Sequence, residues 1–363
     1  MRLFTQTFFF LLAPSTLLAC GGDSSALDAS VPPDAPAVDA YTQPFAFDGN
    51  FAPRPDASFE QYTQDDTLSL FHVQLEATHN SYHLRPSDDP IVDWDYEHAP
   101  LDVQLEEQGV RGLELDLHWD QAIGVHRVLH VPTVDARSTC ELFVECLAIV
   151  RTWSDAHADH VPLVIHLEPK GGATAAERLA RMLAIENEIR SVWPDELILT
   201  PDRVRGDHAT LPEALAEGGW PTLGETRGHV LFAIDDSEGL RAAYVADAPS
   251  LEGRVMFVDS EPGDTFGAYA IINDAFASER IEAALDAHFL VRVFGQDSVE
   301  RALEGDRTHL ERALASGAHV ISSDFPAQVD ETTFFVEIPE GSPSRCNPST
   351  APESCTSAAI EAR

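Results

Sequence analysis

Between residues 58 and 338 the chain repeats one theme: a short apolar run of strand character, then an amphipathic stretch with apolar residues three and four positions apart. The strand-like runs fall at 71–78, 111–117, 127–131, 161–168, 229–235, 254–259, 288–294 and 318–323. Helical spacing covers Glu141 to Ala158, Ala173 to Val192, Leu211 to Glu217, Glu279 to Ala287 and Val299 to Ser316. Strands alternating with helices over roughly 280 residues suit one α/β domain, a single (β/α)8 TIM-type barrel, better than two domains. The run at 127–131 is short, and one arm of a hairpin is the other reading of it.

Such a barrel demands that reactive groups gather where strands end and βα loops begin. The chain meets the demand. His79 and Asn80 end the first run, Glu114 and Asp116 the second, His130 the third, Glu168 and Lys170 the fourth, and Asp324 the eighth. In Leu113-Glu114-Leu115-Asp116-Leu117 the side chains alternate faces, so both carboxylates point one way and the leucines the other. Two acids on one face of an apolar strand call for a compensating cation, and oxygen ligands suit a hard one such as calcium or magnesium. Val164, His166, Glu168 and Lys170 share a face by the same period. Glu168 and Lys170 are also placed to pair with each other, and Asp259 and Asp324 to serve either near the site or in barrel packing.

The first twenty residues, Met1-Arg2 followed by an apolar stretch to Ala19, read as a secretion signal. Leu17-Leu18-Ala19-Cys20 resembles the lipobox of bacterial lipoproteins, which implies lipidation at Cys20 and anchoring in the cell envelope, outside the cytoplasm. Residues 21–57 are rich in Ala, Asp, Pro and Ser and are expected to form a disordered tether, with the barrel spanning 58–363. Cys140, Cys146, Cys346 and Cys355 then remain, an even number in an exported chain. The local pairs 140/146 and 346/355 are the preferred of three connectivities. With 23 basic against 61 acidic residues the formal net charge is −38, which excludes nucleic acid as a partner. An anionic substrate must therefore meet a metal ion or a local pair such as Lys170 with Arg292.

Histidines with carboxylates and an amide oxygen match the cleavage of a phosphodiester beside a metal ion, with the histidines moving protons. Thr78-His79-Asn80-Ser81-Tyr82, Leu113-Glu114-Leu115-Asp116, His130-Val131-Pro132, Leu167-Glu168-Pro169-Lys170, and Ala313 to Ala318 leading to Ser323-Asp324-Phe325-Pro326 carry a resemblance over most of residues 70 to 355. The chain resembles the calcium-dependent phosphatidylinositol-specific phospholipases C, in their bacterial and fungal secreted branch. The resemblance implies calcium held by Asn80, Glu114, Asp116 and Glu168, with His79 and His130 flanking the scissile phosphate and Glu114 as a candidate base. It implies a phosphatidylinositol-type substrate opened by its own 2-hydroxyl to diacylglycerol and a cyclic inositol phosphate, with Lys170 and Arg292 against phosphate charge. A monomer is expected. One stretch departs from the pattern: Val293-Phe294-Gly295-Gln296-Asp297 stands where a second arginine and an acid would follow Arg292. Trp94, Tyr96 and Trp119 are candidates for touching lipid. The rival readings are a glycerophosphodiesterase-like or phospholipase D-like hydrolase on the same fold, and a non-catalytic surface lipoprotein that binds phospho-inositol headgroups.

Overall fold

The computed structural model describes residues 47, 49, 51–54, 61–87, 89–235, 239–339 and 343–361. Its strands are β1 (Val73–Thr78), β2 (Gly112–Asp120), β3 (Val125–Val128), β4 (Leu163–Lys170), β5 (Val230–Ile234), β6 (Phe257–Val258), β7 (Tyr269–Ile272), β8 (Leu290–Phe294), β9 (Val320–Ser323) and β10 (Ser344–Cys346). Eight of them run parallel in the order β6-β5-β4-β2-β1-β9-β8-β7. A single parallel bridge between Asp259 and Tyr269 links the two ends, and Asp259 Oδ1 accepts the Ile271 N–H at 2.8 Å across the same seam. The result is a nearly closed (β/α)8 barrel of the TIM type.

The eight strands differ from the expected eight at one place. The run at 127–131 is not a barrel stave: β3 pairs antiparallel with β2, Leu117 against Val128 and Asp120 against Val125, and forms the hairpin arm. His130 therefore stands in a loop beyond that arm rather than at a barrel strand's end. The stave that takes its place is β7, four residues long and apolar throughout, and too short to mark itself by period. The helix expected over Val299 to Ser316 is two helices, Val299–Leu303 and Thr308–Ala315, parted at Gly305 with φ +79°.

Local chemistry sets the other elements. The helix Ala175–Val192 begins on Thr174, whose hydroxyl accepts the Glu177 N–H at 3.2 Å while the Glu177 carboxylate takes the Thr174 N–H at 2.9 Å. Leu113, Leu115 and Leu117 of β2 and Leu163, Ile165 and Leu167 of β4 lie in the core, leaving the acids of both strands on the other face. The parallel register sets Glu114 against His166 and Asp116 against Glu168. Strands β1 and β2 touch at Ala77 and Gly112, where a Cβ on residue 112 would lie 2.6 Å from the Ala77 Cβ, so only glycine lets β2 approach.

The C-terminal tail packs as β10 antiparallel to β1, and Cys140–Cys146 and Cys346–Cys355 are disulfides as expected. Phe47 and Phe51 pack against the core, Arg151 covers the Phe51 ring, and Arg54 donates to the carbonyls of Gly228 and Ala158. Contact with the barrel thus begins ahead of the boundary expected at residue 58. The signal, Cys20 and the rest of the tether lie outside the described residues. No helix among the described residues is long and apolar enough to cross a membrane.

Candidate active site

The mouth of the barrel is built by the ends of the parallel strands. From β2 and β4 come Glu114, Asp116 and Glu168, each offering a carboxylate oxygen within 4.8 Å of the others. Asp116 is fully buried; its Oδ2 pairs with Lys170 Nζ at 3.2 Å, while Oδ1 has no hydrogen-bond partner. Burial and then Glu168 push the Asp116 carboxyl well above the usual range. Lys170 Nζ also pairs with Glu168. Three converging carboxylates against one ammonium form an all-oxygen donor set that fits a hard divalent cation.

Asn80 follows β1 at φ +44°, a left-handed position that asparagine tolerates better than most residues. Its Oδ1 accepts from Tyr82 Oη at 3.1 Å, and its Nδ2 donates to Tyr96 Oη at 3.3 Å. Burial pushes the Tyr82 hydroxyl up, and the charges of Asp116, Tyr96, Glu114 and Glu168 add to it. The turn is pinned to β2 by Ser81, whose N–H donates to Glu114 O at 2.9 Å and whose Oγ accepts the Glu114 N–H at 2.8 Å.

His79 stands next to this turn. Its Nδ1 lies 2.7 Å from Asp324 Oδ1 and its Nε2 3.7 Å from Glu114 Oε1. Burial disfavours the imidazolium, but Asp324 and Glu114 outweigh it and hold His79 at about 9, charged at neutral pH. Asp324 is itself braced by Gln296, whose amide donates to Oδ2 at 2.6 Å while its oxygen accepts the Asp324 N–H at 3.0 Å. The stretch that departs from the expected pattern therefore supplies the brace for the His79–Asp324 pair.

Arg292, on β8, donates to Glu114 Oε2 at 2.7 Å, to Ser322 Oγ at 3.2 Å and to Asn273 Oδ1. A cavity of about 300 Å³ opens here, lined by His79, Glu114, Glu168, Asp235, Asn273, Arg292 and Phe294. Asp235 and Asn273, which follow β5 and β7, are not among the expected site residues; each is the first polar residue after an apolar strand, and that position is their signal in the sequence. Burial, with Glu114 next, pushes the Asp235 carboxyl up to about 6.

His130 stands outside that lining. Its Nδ1 lies 2.7 Å from Asp135 Oδ2, and the buried His83 reaches the other oxygen of the same carboxylate with Nε2 at 3.0 Å. Burial works to raise Asp135, but the two imidazoles outweigh it and hold the carboxyl at about 2. The Trp94 ring meets the His130 ring edge-on at 6.0 Å. Of the aromatics expected to touch lipid, Tyr96 is buried against His83 and Asn80 and is not free to do so; Trp119, which packs on Ala180, Ala184 and His126, and Trp94 are half-buried.

A parallel barrel with a cluster of carboxylates that could hold a cation, and a charged histidine, at its C-terminal mouth is an arrangement suited to phosphodiester cleavage. The model of the Ca2+-dependent phosphoinositide phospholipase C family matches residues 124–348, and the chain belongs to that family. The fold is similar to the solved calcium-dependent phosphoinositol-specific phospholipase C of a Pseudomonas species, with a TM-score of 0.56 and 18% identity over 80% of this chain and 100% of that one. It is also similar to a calcium-dependent phosphatidylinositol-specific phospholipase C from Streptomyces antibioticus, with a TM-score of 0.53 and 20% identity over 72% of this chain and 96% of that one. No curated protein matches the chain. Family and fold together support phosphodiesterase activity on phosphoinositides.

Proposed function

We propose that the protein is a calcium-dependent phospholipase C that cleaves phosphatidylinositol-type lipids to diacylglycerol and a cyclic inositol phosphate. The observation that carries this reading is the triad Glu114, Asp116 and Glu168, three carboxylates with Lys170 as their shared cation, beside the His79–Asp324 pair. Asn80, Glu114, Asp116 and Glu168 would hold calcium, which supplies positive charge to the phosphoryl oxygens and acidifies the attacking hydroxyl. The oxygen donor set also accommodates magnesium.

The inositol 2-hydroxyl attacks phosphorus, its proton passes to Glu114, and the bond from phosphorus to the glycerol oxygen breaks as that oxygen takes a proton. The surroundings of the two histidines divide the labour. His79 lies in the polar cavity, where its charge complements the phosphate. His130 lies beside the loop carrying Ile91, Val92 and Trp94, and next to Val134 in its own loop. Ile91, Val92 and Val134 are exposed, as are Ile123, Phe276 and Val329, and all but Val134, which follows the antiparallel β3, stand in connections after the C-terminal ends of barrel strands. An apolar rim at one end of the molecule suits a lipid surface, so the diacylglycerol side falls to His130, which protonates the leaving oxygen. Lipidation at Cys20 and an extracytoplasmic, envelope-anchored location complete the proposal; Cys20→Ser should release the protein from the membrane fraction.

The test is turnover of phosphatidylinositol vesicles in calcium or in chelator, with products identified by phosphorus NMR. A calcium-dependent cyclic phosphate signal is expected. Phosphatidic acid or a glycerophosphate as product would overturn the reading. His130→Ala should regain most of its lost activity on a substrate with an aryl leaving group, which needs no proton, whereas His79→Ala should not.

A further inference from the structure

The proposed leaving-group acid, His130, stands in the loop beyond β3 rather than on a barrel strand, yet its ring is fixed. Its Nδ1 lies 2.7 Å from Asp135 Oδ2, and a carboxylate only accepts, so Nδ1 carries hydrogen and Nε2 is left to face substrate. Asp135 is fully buried although it belongs to the same loop. It gets there through a turn closed by paired N–H···O bonds of 2.9 Å between Val131 and Asp135, in which Thr133 takes φ +73°, a costly region for a β-branched residue. Strained backbone persists where the surrounding structure over-determines it, and such strain gathers at functional sites. Here it sets a carboxylate against an imidazole.

The second partner of Asp135 shows what the carboxylate is anchored to. Buried His83 reaches both of its oxygens from Nε2, at 3.0 and 3.1 Å, and therefore donates there. The His83 ring is stacked on Tyr96 with centroids 4.3 Å apart; its N–H donates to the Asn80 carbonyl at 2.8 Å, and its carbonyl accepts the His98 N–H at 2.9 Å. Asn80, His83, Asp135 and His130 thus form one chain of contacts from the proposed calcium ligand to the proposed acid. We propose that Asp135 is a positioning residue for His130: it takes the hydrogen of Nδ1, turns Nε2 toward the leaving glycerol oxygen and offsets the charge of the ring, while His83 ties Asp135 to the turn that carries Asn80. The inference rests on the reading of His130 as the leaving-group acid and adds the groups through which the fold holds it. In that step the proton passes from His130 Nε2 to the glycerol oxygen as the bond to phosphorus breaks and its electron pair stays on oxygen. The ring ends neutral, its remaining hydrogen on Nδ1 and facing Asp135. Asparagine at position 135 keeps the shape, removes the charge and can turn an N–H toward Nδ1, which favours the wrong tautomer.

The test measures kcat of the full-length protein, in saturating calcium, on phosphatidylinositol in neutral detergent micelles and on the nitrophenyl ester of inositol phosphate, whose phenolate leaves without a proton. Asp135→Asn should lose about 10²-fold or more on the lipid and less than about fivefold on the aryl ester. In a His130→Ala background the same change should cost less than about twofold on the lipid, because Asp135 acts through that ring. His83→Leu should lose about tenfold on the lipid alone, and His83→Gln, whose amide supplies a donor near the place of Nε2, should recover most of it. Equal losses on the two substrates in Asp135→Asn would make the residue a support of the fold and overturn the inference, as would a loss that adds in full to that of His130→Ala. If Asp135→Asn does not fold, the two His83 variants decide, and equal losses on both substrates there overturn the inference. A loss confined to the lipid in His130→Ala but absent from Asp135→Asn overturns it while the reading of His130 stands. Equal losses on both substrates in His130→Ala would fell that reading, and the inference with it.

Discussion

The two ends of the barrel treat buried charge in opposite ways. At the N-terminal end each buried ion has its partner: Arg111 Nε donates to Glu361 Oε1 at 2.9 Å and its Nη1 to the carbonyls of Leu105 and Val110, while Arg227 forks onto Asp65 with two contacts of 2.6 Å. At the C-terminal end four carboxylates, Glu114, Asp116, Glu168 and Asp235, crowd around Arg292, Lys170 and His79, and Asp116 shares its one cation, Lys170, with Glu168. Satisfied pairs hold a fold together. Crowded carboxylates cost stability and persist where a cation or a substrate completes them. The contrast separates charge kept for structure from charge kept for chemistry without reference to any relative.

Substitution at each end should therefore move different observables. The largest effect is expected from Asp116→Asn, which replaces an anionic oxygen of the cation site with a neutral amide oxygen. Turnover should fall by about 10³-fold, while the melting temperature in chelator changes little, because a buried charge crowded by Glu168 is gone as the pair with Lys170 is lost. Activity within tenfold of wild type would sink the cation-site assignment. Glu361→Ala should do the reverse. It leaves Arg111 buried and unpaired, at a cost of about 3 kcal/mol in denaturant unfolding, with turnover per folded molecule unchanged. Calcium sharpens the same contrast: at 100 times its dissociation constant it should add about 2.7 kcal/mol to wild type and to Glu361→Ala alike, and markedly less to Asp116→Asn. An equal calcium shift in all three proteins would place the ion elsewhere.

How much of this was readable beforehand follows from the physics of each residue. Glu114, Asp116 and Glu168 were legible because strand alternation fixes which side chains share a face and parallel register carries the face to the neighbouring strand. The barrel was legible through its longer strands. The hairpin arm β3 and the stave β7 were hard to place by pattern, since Val125–Val128 and Tyr269–Ile272 are each only four residues long and their roles are set by their pairing partners. Asp135 was hidden for another reason. It returns to His130 through a turn in which Thr133 takes φ +73° and Val131 and Asp135 exchange N–H···O bonds of 2.9 Å, a conformation that threonine does not advertise. Gln296 acts on Asp324 and on the Ser323 hydroxyl, both from the next strand's end, so its role exists solely in three dimensions.

The smallest effect concerns protons at the structural end. His319 is buried beneath β1 and β8; its Nδ1 accepts the Val291 N–H at 3.0 Å, and Nε2 lies 2.9 Å from the Phe71 carbonyl, so the neutral ring with hydrogen on Nε2 satisfies both. Burial pushes this imidazole down to about 3. A histidine depressed in the folded state binds its proton more readily when unfolded, so its contribution is whole above about pH 6.5 and is lost as pH falls toward 3, at about 1.4 kcal/mol per pH unit. His319→Gln keeps a donor and an acceptor but cannot charge. Between pH 6 and pH 5 the variant should lose about 1 kcal/mol less stability than wild type in denaturant unfolding at matched salt. Asp135, held at about 2 by its two histidines, gives up its own contribution only in far more acid solution and leaves this window clear. Identical slopes in the two proteins would mean that His319 titrates as it does in the unfolded chain, and the satisfied end of the barrel would then be less sealed than its hydrogen bonds imply.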